Sequence, residues 1–177
     1  MHALRVNLRA DLARAGTTTL ASAVWGFLVR PGIRAVVLFR VQEAFEFSHL
    51  RRLAEVVAAI NALLTRAELV VGSRFGPGLV IRHPYGIVVG AGVTAGADCT
   101  LLQNTTLGEK RADGGGEPVY PTLGDRVTVG AGACVLGGVK IGDDTHIGAG
   151  AVVVHDVPAW SIAVGQPARI TARSWDE

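Results

Sequence analysis

Residues Leu123 to Val153 read LGDRVTVGAGACVLGGVKIGDDTHIGAGAVV. Leu123, Val129, Val135, Ile141, Ile147 and Val153 recur at every sixth position. The same count works upstream through Leu69, Phe75, Ile81, Ile87, Val93, Cys99 and Thr105. A sustained short period marks a repeat architecture. Six fits neither the 3.6-residue period of an amphipathic helix nor the two-residue period of a half-buried strand. It fits a solenoid of triangular coils, in which each hexad supplies one short strand and one corner and three hexads close a coil. The recurring aliphatic residue is expected to point inward and stack on its counterpart in the next coil. Glycine follows it at Gly76, Gly124, Gly130, Gly142 and Gly148, where crowded backbone gains from a missing side chain. Small residues two places earlier, among them Ser73, Ala91, Ala97, Ala133, Thr145 and Ala151, suit tight corners; Tyr85 and Gln103 depart from that rule.

The composition agrees with a thin, stacked interior. Hydrophobic residues make up 49% of the 177-residue chain and aromatics only 6%, with 23 glycines. That is enough apolar content to bury a core, which excludes a disordered chain. A formal charge of +2 leaves no nucleic-acid footprint. The N-terminus has no signal-peptide pattern, and no apolar run is long enough to span a bilayer, so a cytoplasmic protein without membrane or nucleic-acid partners is expected. Cys99 and Cys134 have no metal-ligand spacing, and Cys99 reads as a small core residue.

Residues 1–66 lack the hexad period and read as a helical cap. Leu4, Leu8 and Leu12 share one face. A second helix is expected from Thr18 to Val29, capped by Thr17 or Thr18 and ended by Pro31 and Gly32. A third starts near Ile33 with Val37, Val41, Ala44 and Phe45 on its apolar stripe, and a fourth covers His49 to Arg66 with Leu50, Leu53, Val57, Ile60 and Leu64. These stripes are expected to pack on one another and on the solenoid end, covering an exposed sheet edge. Arg30, Arg34, Arg40, Arg51 and Arg52 read as a solvated face. The solenoid is expected over 67–158, interrupted by a protruding loop at 109–121 that carries Gly114, Gly115, Gly116, Pro118 and Pro121; residues 159–177 form a C-terminal tail. A loop on a rigid scaffold is a common place for function.

Of the five histidines, His83 stands out, in RHPYGIVVG from Arg82 to Gly90. Two places after Ile81, it is expected to project outward near a corner. Glu68 lies fifteen residues earlier, within reach of a neighbouring coil. A histidine held by a carboxylate can serve as a general base; a surface histidine without a role is the plainer reading. His146 and His155 with His83 could form an intersubunit metal site, but no paired spacing supports it, and no metal is expected. There is no Gly-rich phosphate loop and no nucleophile elbow.

These residues also resemble a known family. GIVVGAGVTAGADCTLLQNTTLG (Gly86 to Gly108), PTLGDRVTVGAGACVLG (Pro121 to Gly137), IGAGAVVVHDVPAWSIAVGQPARI (Ile147 to Ile170) and RPGIRAVVLFRV (Arg30 to Val41) are similar, in this order, to serine O-acetyltransferases of the hexapeptide-repeat acyltransferases. The resemblance implies a mainly β fold: a left-handed parallel β-helix of hexapeptide repeats with a short N-terminal α-helical region. It implies a homotrimer, and acyl transfer from acetyl-CoA or another acyl-CoA at clefts between subunits. His83 matches the family's base, and Glu68 stands where the family has the aspartate that orients it. By position Gly108, Ala131 and Ala149 are implied in CoA binding, with Arg169 for a phosphate. Glu109 replaces a glycine on that path.

The acceptor site departs from the family. Arg82 replaces an aspartate, Val119–Tyr120–Pro121 replace arginine-histidine-proline, and Thr17 stands near another family aspartate. Arg82 and Tyr120 are therefore the acceptor-site candidates. Losing anionic partners and gaining Arg82 penalises serine and favours an acceptor with a carboxylate or phosphate. The expectation is an acyl-CoA-dependent O-acyltransferase acting on a small hydroxylated acceptor other than free L-serine. The alternatives are genuine serine O-acetylation in cysteine biosynthesis, and a non-catalytic trimer that binds CoA or a partner; a metal-dependent hydratase ranks last. The short N-terminal region suggests a trimer rather than a dimer of trimers.

Overall fold

The computed structural model describes residues 2–110 and 117–172, with side chains from residue 4. Gly114, Gly115 and Gly116 of the expected loop lie outside the described residues, as does the end of the tail.

Four helices come first: α1 (His2–Arg14), α2 (Leu20–Val29), α3 (Pro31–Phe47) and α4 (Arg51–Thr65). The first coil then holds β1 (Glu68–Leu69), β2 (Arg74–Phe75) and β3 (Val80–Ile81). The second holds β4 (Val88–Val89), β5 (Thr94–Ala95) and β6 (Thr100–Leu101); the third, β7 (Thr106–Gly108), β8 (Thr122–Leu123) and β9 (Thr128–Val129). The fourth holds β10 (Cys134–Leu136), β11 (Lys140–Ile141) and β12 (His146–Ile147). The chain closes with β13 (Val152–Val153), β14 (Ser161–Val164) and β15 (Arg169–Ala172). Strands from successive coils pair in parallel to give three faces, β1-β4-β7-β10-β13, β2-β5-β8-β11 and β3-β6-β9-β12-β14. The result is a left-handed parallel β-helix of hexapeptide repeats. The last face runs on past Val157, because β14 pairs with β12 and β15 then folds back antiparallel on β14.

The stacking is regular in the lower coils and interrupted in the first. Thr122 pairs with Lys140, eighteen positions on. Glu68 pairs with Val88, twenty positions on. The two additional residues fall at the corner between β3 and β4, where Arg82 and His83 are inserted. This insertion shifts the phase of the middle hexads. The strand residues facing inward there are Val89, Ala95, Leu101 and Leu107, whereas Ile87, Val93, Cys99 and Thr105 fill the buried corner positions. The expected inward row is thus displaced by two residues through these hexads, and Ala91 and Ala97 sit on turns. Tyr85 and Gln103 occupy the same kind of turn position. Many of the turns end on a residue of positive φ, such as Gly86, Gly132 and Gly150, or Asp98, Asn104 and Asp144. Asp and Asn tolerate this left-handed conformation best after glycine. Each fully buried aliphatic side chain in the stack contributes roughly 1.5–3 kcal/mol of transfer free energy.

The helical cap is built differently from its apolar stripes. Thr19, rather than Thr17 or Thr18, caps α2, with Ser22 completing a capping box. Pro31 opens α3 at its first turn instead of simply ending α2. Helix α4 buries Ala54, Asn61 and Thr65, while Leu53, Ile60 and Leu64 remain 47%, 42% and 50% exposed. Small residues bring α4 close to α3, and the Asn61 amide donates to the Ala35 carbonyl at 3.0 Å. Arg40 does not join a solvated face: it is fully buried. Its guanidinium donates to both Asp11 carboxylate oxygens at 2.7 and 3.1 Å, to Glu43 at 2.7 Å, and to the Phe75 and Gly76 carbonyls. Asp11 also accepts from the Leu79 N–H at 2.8 Å. This network bolts α1 and α3 to the first coil.

Candidate active site

The site begins at the irregular corner. Strand β3 ends at Ile81, and the Arg82 N–H still pairs with the Leu101 carbonyl at 2.8 Å. The chain then bulges. His83 adopts φ 55°, a left-handed conformation uncommon for a non-glycine residue. Its side chain is exposed, as the sequence led one to expect, and Pro84 behind it is buried.

Glu68 runs alongside this corner. The Gly86 N–H donates to the Arg66 carbonyl at 2.9 Å and the Glu68 N–H to the Ile87 carbonyl at 2.8 Å, so the first strand lies one coil above the turn that follows His83. Both side chains are exposed, and among the described residues no hydrogen bond or ion pair joins them.

Below His83 the same corner repeats. The Asn104 N–H bonds the Tyr85 carbonyl at 2.9 Å, the Gly132 N–H bonds Gln103 at 2.9 Å and the Gly150 N–H bonds Ala131 at 2.8 Å. Arg66, Tyr85, Gln103, Ala131 and Ala149 therefore form one column down the solenoid, and His83 sits on the same corner two residues before Tyr85. Ala131 and Ala149 keep the column shallow. Gly108 lies across the adjoining face at the end of β7, where a β-carbon would press on Leu136 at 3.0 Å. Arg169 is exposed on β15 at the foot of the solenoid, opposite Val164. The structure thus gathers Ala131 and Ala149 on His83's corner, and places Gly108 and Arg169 on neighbouring strands.

Gln103 lies on the same column and was not among the site residues expected from the sequence. Its side-chain carbonyl oxygen is buried without a hydrogen-bond partner, a costly state for an acceptor. Its deviation from the small-residue rule was the available signal.

Tyr120 does not face His83's cleft as an isolated donor. Its hydroxyl donates to Glu109 at 2.6 Å, and its ring lies over the turn at Gly90 and Gly92. Lys110 and Val119 exchange backbone hydrogen bonds at 3.0 and 3.2 Å and pinch the base of the loop.

On the other side of His83 the cap forms a cleft of about 390 Å³, lined by Asp11, Arg14, Arg30, Gly32, Arg82 and His83, among others. This is within the size range of small-molecule sites. Among the described residues no group of three or more His, Cys, Asp or Glu is placed to hold a metal ion. No single described helix is long and apolar enough to cross a membrane.

The family pattern described as bacterial transferase hexapeptide (six repeats) matches residues 120–155. The serine acetyltransferase of Helicobacter pylori is 39% identical over 142 residues, covering 80% of this chain and 82% of that protein. The chain belongs to the serine acetyltransferase family. A second serine acetyltransferase, from Synechococcus elongatus, is 39% identical over 147 residues, 83% of this chain, and the chain spans 59% of its length. In three dimensions the chain overlays the serine acetyltransferase of Brucella abortus in complex with coenzyme A with a TM-score of 0.81 and 26% identity, covering 98% of this chain and 68% of that one. Within this serine acetyltransferase-like scaffold, the irregular histidine corner, the column beneath it and the cap cleft beside it adjoin one another.

Proposed function

We propose that the protein is an acyl-CoA-dependent O-acetyltransferase in which His83 is the general base. The single observation that carries this reading is the two-residue insertion at Arg82 and His83, which leaves His83 exposed between the corner column and the cap cleft.

In this reading acyl-CoA lies along the column below His83, past Ala149 and Ala131. Gly108 leaves room on the adjoining face, and Arg169 meets a phosphate at the foot. The acceptor enters from the cap cleft. His83 takes the proton from its hydroxyl as the oxygen attacks the thioester carbonyl carbon. The tetrahedral intermediate collapses, the carbon–sulfur bond breaks, and the imidazolium returns the proton to the departing CoA thiolate. Glu68, carried past the same corner, orients the imidazole and favours its charged form. The assembly is a homotrimer.

The names of the relatives support L-serine as the acceptor, ahead of the different hydroxylated acceptor that the sequence led one to expect. A second reading keeps that other acceptor, on one observation: Asp11, the carboxylate lining the cap cleft, is already engaged by Arg40 and the Leu79 N–H, and leaves no anchor for an ammonium group.

The test is CoA thiol release from acetyl-CoA with L-serine, comparing the native chain with His83→Ala and His83→Asn. A loss of roughly 10²–10⁴-fold in kcat for both variants is expected from removal of a general base. His83→Asn also accepts the left-handed backbone, so its loss separates chemistry from strain. Full turnover in either variant overturns the mechanism. His83-dependent thiol release with any acceptor overturns a purely CoA-binding or partner-binding role.

A further inference from the structure

We infer that the cleft beside His83 holds the acceptor by an oxyanion, a carboxylate or a phosphate, through Arg82 and Arg30, and makes no use of an amino group. The inference rests on the acyl-transfer reading for the site's purpose, and on the cleft itself for its chemistry.

The cationic groups of the cleft are not equivalent. Arg14 is committed to the fold. Its guanidinium donates to the Gly78 and Cys99 carbonyls at 2.7 and 3.0 Å and to the Thr100 hydroxyl at 3.1 Å. Among the described residues Arg30 makes one side-chain hydrogen bond, to the Ala15 carbonyl at 2.9 Å, and its other N–H groups have no partner there. Arg82, next to the base, has no side-chain partner among the described residues and is exposed at the cleft mouth. A guanidinium presents five N–H donors in a planar fork matched to carboxylate and phosphate oxygens.

The wall between the two arginines has the same sign. Helix α3 starts there with Arg30 at its N-cap and Pro31 in its first turn, and no side chain caps it. Its first N–H groups carry partial positive charge. Gly32 lets this end of the helix lie directly on the Ile81 carbonyl, so Arg30 and Arg82 flank one opening.

The acidic side offers nothing to an ammonium. Asp11 is 1% exposed, and both of its oxygens are bound by Arg40, with the Leu79 N–H as a further donor. Thr17 turns its hydroxyl to the Leu12 carbonyl at 2.6 Å. A cleft with two open guanidinium forks and no open carboxylate selects for an acid and gives an amine no partner.

Serine divides into two probes that separate these contributions: 3-hydroxypropanoate keeps the carboxylate and lacks the amine, and 2-aminoethanol does the reverse. Glycerol 3-phosphate supplies the phosphate case. Each is titrated calorimetrically into the full chain, the Arg82→Gln variant and the Arg30→Gln variant, with thermal melts to show that the variants fold. The expected result is binding of 3-hydroxypropanoate or glycerol 3-phosphate, no binding of 2-aminoethanol, and at least a tenfold loss in Arg82→Gln. The tighter of the two acids identifies the oxyanion. Binding of 2-aminoethanol equal to that of the acids overturns the inference, as does unchanged affinity in folded Arg82→Gln and Arg30→Gln, or no binding of either acid. Thiol release from acetyl-CoA is scored separately. Acid binding without thiol release counts against the acyl-transfer reading and leaves the oxyanion site standing; serine turnover without binding of either acid does the opposite.

Discussion

Gly32 and Ile81 are in van der Waals contact through backbone alone: a β-carbon on Gly32 would collide with the Ile81 carbonyl oxygen. This contact seats the start of α3 against the last strand residue before His83. Backbone cannot yield as a flexible side-chain tip does. Gly32→Ala is therefore expected to push α3 off the corner and lower stability by roughly 1–3 kcal/mol, the usual cost of overpacking. The cleft loses its shape with it, so KM for the acceptor should rise more than kcat falls. A variant with the native melting temperature and native KM would show that the contact is incidental.

Tyr120 and the turn at Gly90 and Gly92 form a second close pair. A β-carbon on Gly90 would lie 2.6 Å from the Tyr120 ring, and one on Gly92 would overlap it. The ring thus uses the glycines as a flat platform, while its hydroxyl reaches Glu109 at 2.6 Å. Gly92→Ala should destabilise the chain by roughly 1–3 kcal/mol. In a Tyr120→Ala background the same substitution should cost much less, because the clashing ring is gone. Urea melts of the four proteins in this double-mutant cycle measure the coupling. Additive effects would mean that Gly92 is needed for its turn and not for Tyr120.

The solenoid was legible because its period is enforced by stacking: Leu123, Val129, Val135, Ile141, Ile147 and Val153 must all face one interior. The phase of Ile87, Val93, Cys99 and Thr105 was not. Strand and corner positions are both buried in a triangular coil, so an apolar row at sixfold spacing exists in either register. Only the strand pairing reveals the two inserted residues at Arg82 and His83. His83 itself was singled out as a candidate by its setting. The cap was harder to read. Arg40 is a strong surface residue by composition and becomes the buried hub of the cap because Asp11, Glu43 and two carbonyls converge on it. No local pattern announces partners that lie twenty-nine residues apart, as Arg40 and Asp11 do.

Cys99 follows from its corner position. It is fully buried, its thiol donates to the Gly124 carbonyl at 3.3 Å, and burial pushes its pKa up to about 11. The thiolate is the reactive form. At pH 8 an alkylating reagent should therefore leave Cys99 unmodified in the native protein and modify it after denaturation. Mass spectrometry of the labelled peptides reads both states. Rapid labelling of Cys99 in the folded protein would contradict its placement in the core.

The buried cluster around Arg40 carries one carboxylate more than its charge requires. Burial opposes the Arg40 charge, but the hydrogen bond with Asp11 and the nearby Glu43 outweigh it, and its pKa is raised. Glu43 fares differently: burial pushes its carboxyl above the ordinary value of 4.5 in spite of Arg40. A carboxyl whose folded pKa is raised binds its proton more tightly in the folded state. Its contribution is fully present below the ordinary value and is lost as pH rises through the folded one. Glu46 works in the opposite sense, since its hydrogen bond from Arg74 lowers its pKa and its contribution disappears on acidification. Glu43→Gln keeps an oxygen to accept from Arg40 and removes the excess charge, leaving Asp11 and Glu46 in place. Relative to the native chain, this variant should gain stability as pH is raised from about 4.5 to 7, and the two proteins should converge at the acid end. Urea melts across that range decide it: a relative stability of Glu43→Gln that falls with rising pH would mean that the Glu43–Arg40 ion pair outweighs the burial of its charge.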